Sequence, residues 1–391
     1  MKILSVISGL GYGGAESQLM LIAAELSRRG HEAVVYLLTD HAPRIAALQA
    51  AGVEVVVDRK RSRLDLAVVR RLRAFLRSRR PDVVHGYLFD GNWYATVAAL
   101  GLGVPVLCAE RSSDYRLSRA QWLAHWPVRP FVSGVIANSE RGRVQARALF
   151  GLPDRHAHVV WNGLDLVGID RRLAATRPDP RTGFFGRSDI RLAVLVGSFN
   201  EAKDQLLAIE VIRHLVGLDP RWRLLLVGAS FGDRLEYANT VADASTRYEA
   251  AVRDRIAAAG LGEHVRLAGQ RPDALELIGA ADVLLSTSRR EGSPNVVLEA
   301  MAAGTPVVAT DFSDIARLLP QPWQVVGDRD PLSLAQAVLK VHACRDAVAA
   351  EQRQWVESHA TIGTTVDALL RLYAAYGRAP AAPVHQTTPG A

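Results

Sequence analysis

Short, strongly apolar runs recur along this chain, and longer amphipathic stretches separate most of them. In order the runs are KILSVIS (2–8), EAVVYLL (32–38), VEVVVD (53–58), DVVHGYL (82–88), PVLCAE (105–110) and GVIANS (134–139). A second series follows: RLAVLVGSF (191–199), WRLLLVG (222–228), HVRLAG (264–269), ADVLLSTS (281–288) and PVVATD (306–311). Runs this short, rich in Val and Leu and apolar on both faces, suit strands buried in a parallel sheet. Their alternation with helix-length segments predicts α/β domains. The rhythm pauses at VVWNGLDL (159–166), where Asn162-Gly163 marks a turn, and a loose segment with Arg, Pro and Gly runs on to Asp189. At 391 residues the chain exceeds what one core usually serves. The expected division is an N-terminal domain over 1–163, a second over 164–355, a closing helix over 356–377 and a disordered tail over 378–391. That tail reads APAAPVHQTTPGA after Arg378.

Composition narrows the class. Hydrophobic residues make up 49% of the chain and charged ones 22%, which is a globular balance. The net charge is +7, and part of the excess is local. Residues 59–82 hold ten Arg or Lys against Asp65 and Asp82, with Leu64, Val68, Leu72, Phe75 and Leu76 at helical spacing. Two readings stay open for 59–80: the solvated face of a domain helix, or a basic surface that contacts anionic lipid headgroups. Two cysteines, Cys108 and Cys344, imply neither a disulfide framework nor a metal cluster, so a cytoplasmic setting is expected. The first apolar run is too short for a signal-peptide core. No apolar stretch reaches bilayer-spanning length, so any membrane association is expected to be peripheral, at the cytoplasmic face of an inner membrane.

The richest segment is EGSPNVVLEAMAAGTPVVATD, Glu291 to Asp311. Ser293 and Pro294 read as a cap and first position of a helix. The amides of Asn295 and Val296 would then open that helix with no internal partner, at its partially positive end. Such an end suits a phosphate. Glu291 precedes the helix and Glu299 lies inside it, so two carboxylates that accept sugar hydroxyls flank an anion site. This fits a nucleotide-sugar. A capped helix with solvated glutamates satisfies the same spacing.

Four other stretches carry chemistry. GLGYGG (9–14) matches G-x-G-x-x-G between a strand and a helix, and Asp40 ends the next strand. Two readings are open, a tight turn that needs glycine and, behind it, a dinucleotide loop. VGSFNEAKDQ (196–205) places Lys203 at a helix start, and VRLAGQRPD (265–273) carries Arg271. Arg111 in PVLCAERSSDY and His85 in PDVVHGYLFDGN each stand at a strand end. DRD (328–330) is read as a polar turn and helix cap rather than a metal site.

Taken together, the Glu291–Asp311 segment, the GGAE of Gly13–Glu16 and Lys203 in its setting resemble the group 1 retaining glycosyltransferases of family four, and Glu110-Arg111 followed by a polar residue resembles its exopolysaccharide and surface-glycan members. The resemblance covers nearly the whole chain. It implies the GT-B fold, two Rossmann-like domains facing an interdomain cleft, with the last helix crossing back onto the first domain. It implies a nucleoside diphosphate sugar as donor substrate, a glycan or lipid-linked acceptor, no further cofactor, no metal and no nucleic acid. By the family pattern Glu291 approaches the sugar and Glu299 the ribose. Asn295 and Val296 offer amides to the diphosphate, and Lys203 pairs with it. Gly13 and Gly14 let their loop approach, and Gly269 and Arg271 close over the base.

Two positions depart from that pattern. Ser198 stands where the family has an arginine, which leaves Lys203 and the helix end to stabilise more of the leaving charge. Arg111 falls where many members carry the catalytic-site histidine, and His85 is a second candidate for a residue near the sugar. Two rival functions follow from the same features. An oxidoreductase could use GLGYGG to bind NAD(P), and a basic docking protein could retain a transferase scaffold with altered positions.

Overall fold

The computed structural model describes residues 1–11, 13–62, 64–111, 117–175, 178–230 and 239–377. The tail expected over 378–391 lies outside the described residues. Seven parallel strands form the first sheet: β1 (Lys2–Ile7), β2 (Glu32–Leu37), β3 (Glu54–Val57), β4 (Val83–Tyr87), β5 (Val106–Glu110), β6 (Gly134–Ala137) and β7 (Ala157–Val159). Six form the second: β8 (Arg191–Val196), β9 (Trp222–Val227), β10 (Val265–Gly269), β11 (Val283–Ser286), β12 (Val307–Thr310) and β13 (Val325–Val326). The apolar runs of the sequence supply eleven of these strands. The short β7 and β13 had no apolar run of their own long enough to announce them.

The order is 3-2-1-4-5-6-7 in the first sheet and 10-9-8-11-12-13 in the second. Leu4 pairs with Val34 on one side and Val84 on the other, and Val194 pairs with Leu225 and Leu284. In both sheets the order reverses beside the first strand of the domain. Open α/β sheets bind ligands at such switch points, beyond the strand C-termini. The motif loops leave those ends: Gly13 follows β1, Arg111 follows β5, Ser198 and Lys203 follow β8, and Glu291 follows β11. Helices cover both faces of each sheet, and every residue of β4 and β9 is buried. This is GT-B architecture.

The connection between domains is double. Leu164 accepts from the Ile362 amide at 2.8 Å and donates to the Ala360 carbonyl at 2.9 Å, so outgoing and returning chains run side by side. Gly163 makes that approach possible, since a Cβ there would lie 2.8 Å from the Ile362 Cα. The return falls at Ala360–Thr361 and not at 356: Val356, in the helix Arg345–His359, belongs to the second domain's core. The helix Ile362–Tyr376 places Val366, Leu369 and Tyr373 in the core of the first domain.

The basic stretch forms the helix Leu66–Arg79, capped by Asp65, with Val68, Leu72 and Leu76 inward. Leu64 precedes the helix and is exposed, so it is not part of the buried stripe.

Candidate functional site

A cleft of about 830 Å³ opens between the domains. The loop after β1 brings Gly13, Gly14 and Glu16 to it, and Arg111 and Asn138 stand on the same side. Ser198, Lys203, Glu291, Asn295, Val296 and Glu299 form the opposite wall. Nine sequence-predicted positions therefore meet in one space: Gly13, Gly14, Arg111, Ser198, Lys203, Glu291, Asn295, Val296 and Glu299.

The Lys203 ammonium binds the Glu291 carboxylate, which also accepts from the Ser288 hydroxyl at 3.2 Å. The stem of Lys203 passes over Gly197, where a Cβ would stand 3.1 Å from it. The next residue, Asp204, holds φ at +49°, a left-handed conformation that costs a side-chain-bearing residue about 1–2 kcal/mol. Its buried carboxylate accepts from Arg289 and Arg329, each at 2.7 Å. Thr287 donates to the Lys203 carbonyl at 2.9 Å. The loops after β8 and β11 are thus stitched together, and Lys203 and Glu291 are positioned as a unit. In DRD, Asp330 caps the helix Pro331–Ala343 while Arg329 makes this tie.

Glu299 lies in the second turn of the helix Asn295–Ala302 and faces the cleft. No described group hydrogen-bonds its carboxylate, and its surroundings push its pKa above the usual 4.5, with Arg172 opposing. An unpaired, poorly solvated carboxylate of this kind gains by accepting hydroxyl groups. Ser293 does not cap the helix as expected: Pro294 occupies the cap position and the Ser293 hydroxyl is buried without a partner. The amides of Asn295 and Val296 begin the helix.

The side chain of Asn295 joins the domains. Its carbonyl accepts from Asn162 at 2.6 Å and from Gln18 at 3.4 Å, and its amide reaches the Gly14 carbonyl at 3.3 Å. Gln18 bonds both backbone groups of Gly163 at 3.0 Å. Asn162 accepts from Arg111 at 3.1 Å, and the Arg111 guanidinium lies over the Tyr87 ring at 5.3 Å. Gly292 backs onto this network so closely that a Cβ would come within 2.4 Å of the Arg111 carbonyl oxygen. On the far side, Asp314 accepts from the Glu140 and Arg141 amides at a first-domain helix end. Sequence reasoning missed Gln18, Asn162 and Asp314 because each makes its tie between the domains to a residue more than a hundred positions away.

Two predicted residues stand elsewhere. His85 is mid-sheet and fully buried, with Nδ1 2.7 Å from the Tyr373 hydroxyl. It ties the closing helix to the first sheet, and burial drives its pKa well below 6.5. Arg271 forms a two-pronged ion pair with Asp273 at 2.8 Å and does not line the cleft. Asp40, the ribose acid of the dinucleotide reading, pairs with Arg59 at 3.1 Å in a separate cavity.

Fold and cleft together define a nucleotide-sugar transferase architecture, and comparison places the chain within it. Residues 12–167 match Glycosyltransferase Family 4 and residues 191–343 match Glycosyl transferases group 1. The chain belongs to this family of glycosyltransferases. It is similar to D-inositol 3-phosphate glycosyltransferase of Geodermatophilus obscurus, 29% identical over 79% of this chain and 70% of that one. It also resembles phosphatidyl-myo-inositol mannosyltransferase of Mycobacterium tuberculosis, 26% identical over 78% and 76% of the two chains. Among solved structures, Anabaena HepE in complex with UDP-glucose superposes with a TM-score of 0.78 at 20% identity, covering 96% of this chain and all of that one.

Proposed function

We propose that this glycosyltransferase moves a sugar from a nucleoside diphosphate donor onto a glycan or lipid-linked acceptor of surface-polysaccharide or glycolipid synthesis, with retention and without a metal. The observation that carries the reading is the convergence on one wall of Glu299, the Lys203–Glu291 pair and the opening of the helix Asn295–Ala302. Glu299 accepts the ribose hydroxyls. The amides of Asn295 and Val296 and the ammonium of Lys203 hold the diphosphate. Glu291 orients the sugar. Arg111 faces them from the first domain and adds positive charge where negative charge grows as the sugar leaves. Those groups supply the charge that a divalent ion would otherwise provide. The acceptor hydroxyl attacks from the face the leaving group vacates, and the departing phosphate takes its proton.

A donor that is a nucleotide-sugar and a relative whose name includes a phosphatidyl acceptor support a membrane-linked acceptor, worked on from the cytoplasmic side. No helix among the described residues is long and apolar enough to cross a membrane. The test is a thermal-shift panel of UDP, GDP, ADP and NAD. A ligand bound only by the native state raises its melting temperature, by RT ln(1 + [L]/Kd) in free energy. One nucleoside diphosphate should stabilise and NAD should not. Transfer from the matching sugar should survive EDTA and give product with the donor's anomeric configuration, read by NMR. Stabilisation by NAD alone, inverted product, or loss with EDTA restored by manganese would each reject the corresponding part.

A further inference from the structure

One side of the first domain presents apolar side chains that stay exposed among the described residues. Trp122, Leu123, Trp126 and Phe131 are 49%, 67%, 52% and 57% exposed, and all lie between residues 119 and 131. The short helix Arg119–His125 carries two faces. Ala120, Gln121 and Ala124 line a second cavity of about 870 Å³, while Trp122 and Leu123 stand on the opposite face, as helical spacing requires. Leu64 lines the same cavity, and Leu66, on the other side of Asp65 in sequence, is exposed. Both segments are fixed to successive residues of one helix: Trp93 donates to the Ala124 carbonyl at 2.9 Å, and the Tyr94 hydroxyl accepts from the Asp65 amide at 2.8 Å. Leu64 and one face of the helix Arg119–His125 therefore border a cavity that adjoins the donor cleft through Glu16, Phe89, Asp90 and Gln121, with Trp122 and Leu123 on the outer face of that helix.

The charge on the segment 117–131 itself is basic, although Glu16, Asp40 and Asp90 line the neighbouring cavity. From residue 115 to residue 139 the sequence contains no Asp or Glu, and Arg119 and Arg129 flank the aromatic residues. The Arg129 guanidinium lies 5.4 Å from the Trp126 ring centre. Half-exposed tryptophans beside arginines match the interfacial layer of a bilayer, where an amphipathic ring sits between headgroups and chains. The basic helix is a weaker candidate than its composition suggested. Arg71 pairs with Asp58, Arg79 with Glu54, and Arg73 binds the Ala98 and Leu100 carbonyls. Only Arg70, Arg77 and Arg80 are left to act as an auxiliary field.

We propose that residues 119–131, with Leu64 and Leu66, form a surface that inserts into an anionic lipid bilayer and sets the mouth of the second cavity at the membrane. The aromatic and leucine side chains supply insertion, and Arg119 and Arg129 supply attraction to acidic headgroups. The docking stands on this geometry. Only the further statement that a lipid-linked acceptor enters the cavity from the bilayer rests on the transferase reading above.

The experiment is co-sedimentation of the full chain with phosphatidylglycerol-containing vesicles and with pure phosphatidylcholine vesicles, at low and high salt. The wild type should bind the former and release with salt. The combined variant Trp122→Ser, Leu123→Ser, Trp126→Ser should lose about tenfold or more in partitioning. Its melting temperature and its shift with a nucleoside diphosphate should match the wild type. A second measurement does not depend on the variant: tryptophan fluorescence of the wild type should be quenched by lipids brominated in their acyl chains. Absence of wild-type binding at low salt, equal binding by the variant, or no quenching would overturn the proposal. So would a wild-type dimer that the variant turns into a monomer, without vesicle binding, since the face would then join two copies. Vesicle binding with no nucleotide-induced shift would leave the docking intact and reject the transferase reading instead.

Discussion

The Lys203 ammonium and the Glu291 carboxylate, 88 positions apart in sequence, neutralise each other on the wall of the cleft. A diphosphate that takes the lysine leaves the glutamate free for a hydroxyl, so the pair is poised to be exchanged by a ligand carrying both groups. Removing either partner leaves a part-buried charge uncompensated, which costs more than the pair contributes.

Lys203→Ala should lower turnover more than it lowers donor affinity, because charge on the diphosphate grows as the sugar departs. A loss of about 10²–10³ in kcat is the scale for one charge-stabilising donor. Steady-state kinetics with a raised KM and unchanged kcat would reduce Lys203 to a binding residue.

Glu299→Gln should weaken nucleotide binding and stabilise the protein together. The folded pKa of Glu299 is raised by burial, so its ionised form destabilises the fold above that pKa. The penalty vanishes below the ordinary value of 4.5, where the carboxyl is protonated both folded and unfolded. The variant's melting temperature should therefore exceed the wild type's at neutral pH and converge on it as pH falls through this window. Calorimetry should show nucleotide affinity reduced by about 1.5–3 kcal/mol, the scale of a charged hydrogen bond. Unchanged affinity would remove the ribose role.

Gly292→Ala and Asn295→Ala should impair catalysis through the domain interface. The first puts a Cβ 2.4 Å from the Arg111 carbonyl oxygen, and the second removes the bonds to Asn162 and Gln18. Both should lower kcat by about tenfold or more, the scale for misplacing catalytic groups by an ångström. Nucleotide affinity should change little, since Glu299 and Lys203 remain on one domain. Equal losses in affinity and turnover would show that the interface does not act separately.

Tyr373→Phe should cost about 1–2 kcal/mol of stability and leave nucleotide binding unchanged, because it removes the buried hydroxyl that meets His85 and Tyr87, away from the cleft. The His85 pKa is depressed in the fold, so its contribution is present above 6.5 and is lost as pH drops below that value, where the unfolded chain takes up the proton first. Denaturant titrations across pH 5–8 should show this decline, reduced in His85→Leu. Loss of activity without loss of stability in either variant would return His85 to the catalytic candidates.

Much of the cleft wall on the second domain was legible because its parts are local. Glu291, Asn295, Val296 and Glu299 fall within one strand–loop–helix unit, and Lys203 follows a strand whose apolar run is unmistakable. The misreadings arise where spacing fits two structures. Ser293 has the right type for a cap, yet the chain entering the helix directs it inward and Pro294 takes that place. His85 and Arg271 have the right chemistry at motif positions, and burial in one case and Asp273 in the other commit them to different partners.

The sequence by itself determined two parallel α/β domains, the order of their strands in the chain, and which loops bear reactive groups. Those follow from local periodicity and from glycines and prolines that limit backbone choice. Only the tertiary structure decided that Asn295 meets Asn162, Gln18 and Gly14, that Arg71, Arg73 and Arg79 find partners within the chain, and that Trp122, Leu123 and Trp126 stay exposed. These outcomes depend on distance and burial between residues far apart in the chain, and no local pattern encodes which partner a side chain will find.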